Sequence, residues 1–205
     1  MRKTTFLVII ISFLLSFING CSSEEEVGVA YISIDEDSGY RSTFKELNLG
    51  KVYDFEFKLM QADKSWVTIW VEGYRNGEKI KPIHLTNLSY GLSPNKVDDG
   101  HLGFGIINPQ NKNPLFFLYA PGVNLQPHQI ENDILDSKMA GTWNYAIGDE
   151  ETKLELGKTR ILGAYRQVEK SYKSSYDFDD PDAVKQMIKE DKTVLLLKIK
   201  VEEKE

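Results

Sequence analysis

Near the C-terminus Leu195, Leu197, Ile199 and Val201 alternate with Leu196, Lys198 and Lys200. Side chains of an extended chain point to opposite sides in turn, so this spacing puts four large aliphatics on one face and two lysines on the other. A helix would scatter the same residues around its circumference. The stripe is therefore a strand, and it needs a second apolar layer to cover it. The pattern recurs along the chain. Tyr53, Phe55, Phe57 and Leu59 alternate with Asp54, Glu56 and Lys58, while Leu102, Phe104 and Ile106 alternate with Gly103 and Gly105. Glycines repeated on one strand face mark close approach of another group or a bend. The runs from Trp66 to Val71, Leu115 to Tyr119 and Leu154 to Val168 are also strand-like, as is the start of the domain from Val27.

The punctuation fits. Asn76-Gly77 supplies the two positive-φ positions of a type I′ hairpin turn. The arm after it holds Ile80 and Ile83 around Pro82, which has no N–H to donate and belongs at a sheet edge. Ala120-Pro121-Gly122 is a turn. Asp180-Pro181 opens a helix with an aspartate cap and proline at its first position; Val184, Met187 and Ile188 form its apolar stripe, and Lys189 and Lys192 close it. The stretch from Val123 to Glu151 fits no period and reads as a long loop with a short helix. No repeat or long linker divides the chain. The expectation is one mainly β domain over 27–205, an antiparallel β-sandwich with one short helix near the C-terminus.

The N-terminus is of another kind. Arg2 and Lys3 precede an apolar run from Phe6 to Ile18, broken only by Ser12 and Ser16, and Glu24, Glu25 and Glu26 follow. A basic start, a short apolar stretch and a small-residue exit form the secretory pattern, too short to span a bilayer. The exit, Ile18-Asn19-Gly20-Cys21, resembles the lipobox of bacterial lipoproteins, with Asn19 where Ala or Ser is usual. The resemblance covers residues 1–21, and the chain's one cysteine falls at the modified position. It implies cleavage after residue 20, acylation of Cys21 with a diacylglycerol and a fatty acyl chain such as palmitate, a polar tether over 21–26, and a domain on the outer face of the cytoplasmic membrane. An uncleaved signal anchor would leave the domain on the same side. Loss of Arg2 and Lys3 with the signal takes the net charge from −6 to −8. Anionic headgroups repel such a domain, so the lipid is its membrane partner.

The acidic balance argues against nucleic acid as a partner. One cysteine excludes a disulfide framework within the chain. There is no Gly-x-Ser-x-Gly, no His-Glu-x-x-His and no phosphate loop. His84, His101 and His128 lie too far apart in sequence to pair locally on a metal, and Asp98-Asp99-Gly100-His101 reads as a polar turn before the Leu102 strand. Asp35, Asp37 and Glu46 are spaced partly like a calcium loop, although Tyr40 stands where that loop needs glycine. The aspartates from Tyr176 to Asp182 read as a solvated run with Asp180 as helix cap. Trp66 and Trp70 share one strand face, opposite Val67, Ile69 and Val71. They are either a surface for a glycan or envelope protein or part of a strand buried on both sides. The pattern calls for no cofactor. The leading expectation is a non-enzymatic binding module in the cell envelope. The alternative is a tethered hydrolase whose carboxylates meet from distant positions.

Overall fold

The computed structural model describes residues 28–130, 134–169 and 175–204. The expected signal segment 1–20, Cys21 and the expected tether 21–26 lie outside them. The expected architecture holds: two antiparallel sheets pack face to face, with a helix near the C-terminus.

The strands are β1 (Ala30–Ile34), β2 (Gly50–Leu59), β3 (Ser65–Arg75), β4 (Glu78–Lys79), β5 (Thr86–Gly91), β6 (Asp98–Ile107), β7 (Leu115–Ala120), β8 (Val123–Gln129), β9 (Gly141–Tyr145), β10 (Thr152–Leu154), β11 (Thr159–Gln167) and β12 (Thr193–Glu203). The first sheet runs β10-β1-β2-β6-β7-β8. The second runs β4-β3-β12-β11-β9, with β5 also pairing β3. The aliphatic stripe of β12 lies opposite Val67, Ile69 and Val71 of β3 in register. Together these residues meet Phe55, Phe57, Leu102, Phe104, Phe116 and Leu118 of the first sheet in one core. Burying each such side chain contributes about 1.5–3 kcal/mol.

The helix near the C-terminus, labelled α2 below, spans Pro181–Glu190, and Asp180 accepts a hydrogen bond from the Asp182 N–H as expected. Val184 and Met187 rest on Ala164, Val194 and Leu196, so the second sheet is covered on its outer face as well. At the helix end a buried Arg166 guanidinium grips Asp191 through two bonds and lies 4.7 Å from the Tyr176 ring. The acidic run around it separates into local pairs, with Asp179 on Arg160 and Asp182 on Lys185.

Some expectations need correction. The stretch 123–151 contains β8 and β9, and no helix among its described residues. Its period was hidden because Pro127 sits in an edge strand where the β7–β8 register shifts between Phe116 and Leu118, a bulge that needs no N–H. Asp98 to His101 is not a turn but the first part of β6, paired with Glu56 to Leu59 of β2. A second helix, α1 (Gly39–Glu46), is also present, its first turn capped by Ser38 Oγ accepting from the Arg41 N–H at 3.1 Å. The hairpin turn is as expected, with φ of 52° and 83° at Asn76 and Gly77, but the arm after it is only the short edge strand β4, and Ile80, Pro82 and Ile83 lie outside any strand.

Candidate functional site

The outer face of the first sheet carries a trough made by two glycines. A Cβ on Gly105 would lie 2.0 Å from the Phe117 ring, and one on Gly103 would lie 2.3 Å from the Tyr119 hydroxyl. Both rings of β7 therefore lie flat across β6. They form the bed for α1, whose Phe44 packs on Phe117 and whose Tyr40 meets Tyr119 edge-on. Helix α1 buries none of its residues fully. It is held by these aromatic contacts and by what lies beneath it.

Beneath it is Asp54, a carboxylate with no exposure at all. Passing over Gly103, the Tyr119 hydroxyl donates to Asp54 Oδ1 at 2.8 Å. Ser38, the cap of α1, donates to Oδ2 at 2.5 Å. His101 brings Nδ1 to 3.2 Å from Asp54 Oδ2 and 3.5 Å from Asp35 Oδ2. Tyr40 lies edge-on against the imidazole, 5.1 Å between centroids. Burial first, and then the Asp54 charge, push the Tyr119 phenol far above its ordinary value and keep it a donor. A buried charge is tolerable only when satisfied in this way.

Of the residues singled out in the sequence, Asp35 joins this cluster and Asp37 and Glu46 do not; both are exposed on and before α1. His101 joins it too. His84 instead lies 5.3 Å from the Trp70 ring, and His128 sits on β8 with Nδ1 against the Gln126 carbonyl. Trp66 and Trp70 share the outer face of the second sheet, and neither is bare. Lys204 Nζ stands 3.8 Å over the Trp66 ring, while Trp70 is 7% exposed and donates its N–H to Glu72. Glu72 also takes hydrogen bonds from Tyr74 and Lys79 and faces Lys198 at 3.1 Å. Cys21 lies outside the described residues.

Beside the Asp54 cluster an open cleft of about 870 Å³ runs between α1, the start of β2, the residues after β6, and β9. Arg41, Lys45 and Lys51 line it against one carboxylate, Glu36. Phe44, Trp143 and Tyr145 supply aromatic surface, and Asn48, Asn108, Gln110 and Asn111 supply amides. Its floor is rigid: the Trp143 ring stacks on Tyr53 at 3.6 Å and lies so close over Gly163 that a Cβ there would clash at 2.3 Å. Tyr145 joins cleft and cluster. Burial raises its phenol, and the Asp54 and Asp35 charges add to this against the opposing pull of Arg41. No sequence pattern pointed to this cleft, because its walls come from separate segments; the only local signal was the apolar spacing of Tyr40, Phe44 and Leu47, which marks α1.

Comparison with protein family models, with curated proteins and with solved structures finds no match for this chain.

Proposed function

We propose that the chain is a lipid-anchored, non-enzymatic protein of the cell envelope and that its cleft binds an anionic glycan. The observation that carries the binding reading is the lining of the cleft. Its volume lies in the range of ligand sites, and three cations face into it from a domain that is otherwise acidic. Aromatic surface suits the C–H faces of sugar rings, amide side chains match hydroxyl groups, and the cations match carboxylate or phosphate groups. The anchoring reading rests on Arg2, Lys3, the apolar run and Cys21. No helix among the described residues is long and apolar enough to cross a membrane.

The position of the cleft suits such a tether. Ala30, Leu59 and Asp98 lie together at one end of the first sheet, and Gly50 and Ile107 lie at the other. A chain arriving from Cys21 enters at the first end, and the cleft opens at the second. The ten residues of β2 separate them by roughly 30 Å.

The hydrolase alternative has less support. Paired carboxylates in sugar hydrolysis stand about 5–10 Å apart with substrate between them. Asp35 and Asp54 bring oxygens within 4.8 Å of each other, short of that range, and each Asp54 oxygen already accepts a hydrogen bond.

The test is calorimetric titration of the purified full chain with uronic-acid oligosaccharides and with neutral oligosaccharides of equal length. The acidic series binds, binding weakens with added salt, and the double variant Lys45→Gln, Lys51→Gln loses about tenfold in affinity, roughly 1.4 kcal/mol. Equal binding of both series, or a double variant that binds like the parent, would refute the reading.

A further inference from the structure

We propose that Asp35, Asp54 and His101 form a binding site for one divalent transition-metal ion of the zinc type. The three side chains come from the loop after β1, the middle of β2 and the first half of β6, and each offers one ligand atom within 4.8 Å of the others. A zinc ion with bonds of about 2.0–2.2 Å to nitrogen and oxygen holds neighbouring ligand atoms roughly 3.3 Å apart. His101 Nδ1 stands 3.2 and 3.5 Å from the two carboxylate oxygens, on either side of that spacing.

The surroundings point the same way. The His101 imidazole turns one nitrogen, Nδ1, toward both carboxylates at once, and only 13% of the Asp35 side chain is exposed. Arg41, the nearest guanidinium, bonds the backbone carbonyl of Asp35 rather than its carboxylate. Around these atoms the supports are complete. Tyr119 and Ser38 fix the Asp54 carboxylate, and Tyr40 fixes the plane of the imidazole, as outer-shell partners of metal ligands do.

The His101 side chain also reaches solvent, 44% of it exposed. His101 borders a groove of about 280 Å³ on the solvent side, where Glu56, Asp99 and Glu151 face one lysine, Lys58. A recess lined by one sign of charge concentrates cations. The exposed part of His101 leaves room for water to complete the coordination. One imidazole and two carboxylates suit zinc and its first-row neighbours; calcium prefers about 6–8 oxygen ligands, which this cluster does not provide.

The full chain, stripped with a chelator, is titrated with zinc chloride and separately with calcium chloride. One equivalent of zinc binds and raises the melting temperature, and calcium at the same concentrations does neither. His101→Ala and Asp35→Asn abolish the stoichiometric binding. Tyr119→Phe, which removes only an outer partner, weakens it by roughly 10–100-fold, and His128→Ala leaves it unchanged. Absence of stoichiometric zinc binding in the parent overturns the assignment. So does zinc binding that survives both ligand variants, or a preference for calcium.

Discussion

Gly103 has no side chain, and that lack of atoms lets the Tyr119 hydroxyl reach Asp54. A methyl group there would stand 2.2 Å from the Tyr53 carbonyl and 2.3 Å from that hydroxyl. Gly103→Ala therefore overpacks the sheet, at about 1–3 kcal/mol, and pulls a donor from a buried carboxylate, at about 1.5–3 kcal/mol. Urea denaturation should show a loss of several kcal/mol, with the midpoint moved and the slope kept; a change under 1 kcal/mol would mean that Tyr119 has another route to Asp54. Glu72 gives a second expectation at this scale. Burial alone would raise its carboxyl, but hydrogen bonds from Lys79, Trp70 and Tyr74 and the Lys198 charge overcome that and hold it down to about 2. A depressed carboxylate contributes its stability above its ordinary value of 4.5 and loses it as the pH falls toward about 2. Glu72→Gln should cost about 1.5–3 kcal/mol at neutral pH, and the gap to the parent should close between pH 4.5 and about 2. Melting curves that run parallel across that window would show that the carboxylate charge is not what holds the four partners.

Elements whose reasons are local were legible in the sequence. The hairpin between β3 and β4 is set by Asn76 and Gly77 alone. The built Cβ of Gly77 meets nothing nearer than the Lys189 Cα at 3.6 Å, so Gly77→Val suffers from backbone strain rather than collision. It should cost roughly 1–2 kcal/mol; a variant as stable as the parent in urea would place the strain elsewhere. Helix α2 was equally plain from its aspartate, its proline and its stripe. Helix α1 was not, because Ser38 lacks the glutamate three residues on that marks a capping box (Arg41 stands there) and because Leu47, the last of its apolar series, points into solvent at 63% exposure. The metal cluster was half legible. Asp35 drew notice for its spacing to Asp37 and Glu46, yet its partners are Asp54 and His101. Those three meet only because β1, β2 and β6 are neighbours and because Glu56 pairs with His101 in register. Strand order and register are long-range properties, and a single sequence fixes the face of a residue far better than it fixes its neighbour.

On the scale of the whole molecule, the proposed anchor joins one end of the first sheet and the proposed binding cleft lies at the other, and so the two should separate cleanly. Under that proposal the chain from Cys21 to Ala30 reaches at most roughly 30 Å, which would keep the start of β1 near the bilayer and the cleft about the length of β2 further out. Loss of the proposed signal would leave a net charge of −8, which disfavours a second attachment to anionic lipid. On this reading stable attachment would depend on the acyl chains, at about 0.8 kcal/mol for each buried methylene. Cys21→Ala should move the chain from the membrane to the soluble fraction or leave it as an unprocessed precursor. The parent should begin at an acylated Cys21 by intact-mass spectrometry. If the change acts on the proposed anchor alone, the released variant should melt at the parent temperature and bind the acidic oligosaccharides with the parent affinity. A parent that begins elsewhere with an unmodified thiol would remove the anchor from this account. A released variant with weakened binding would show that the two ends of the sheet are coupled, and that the cleft depends on being held at the membrane.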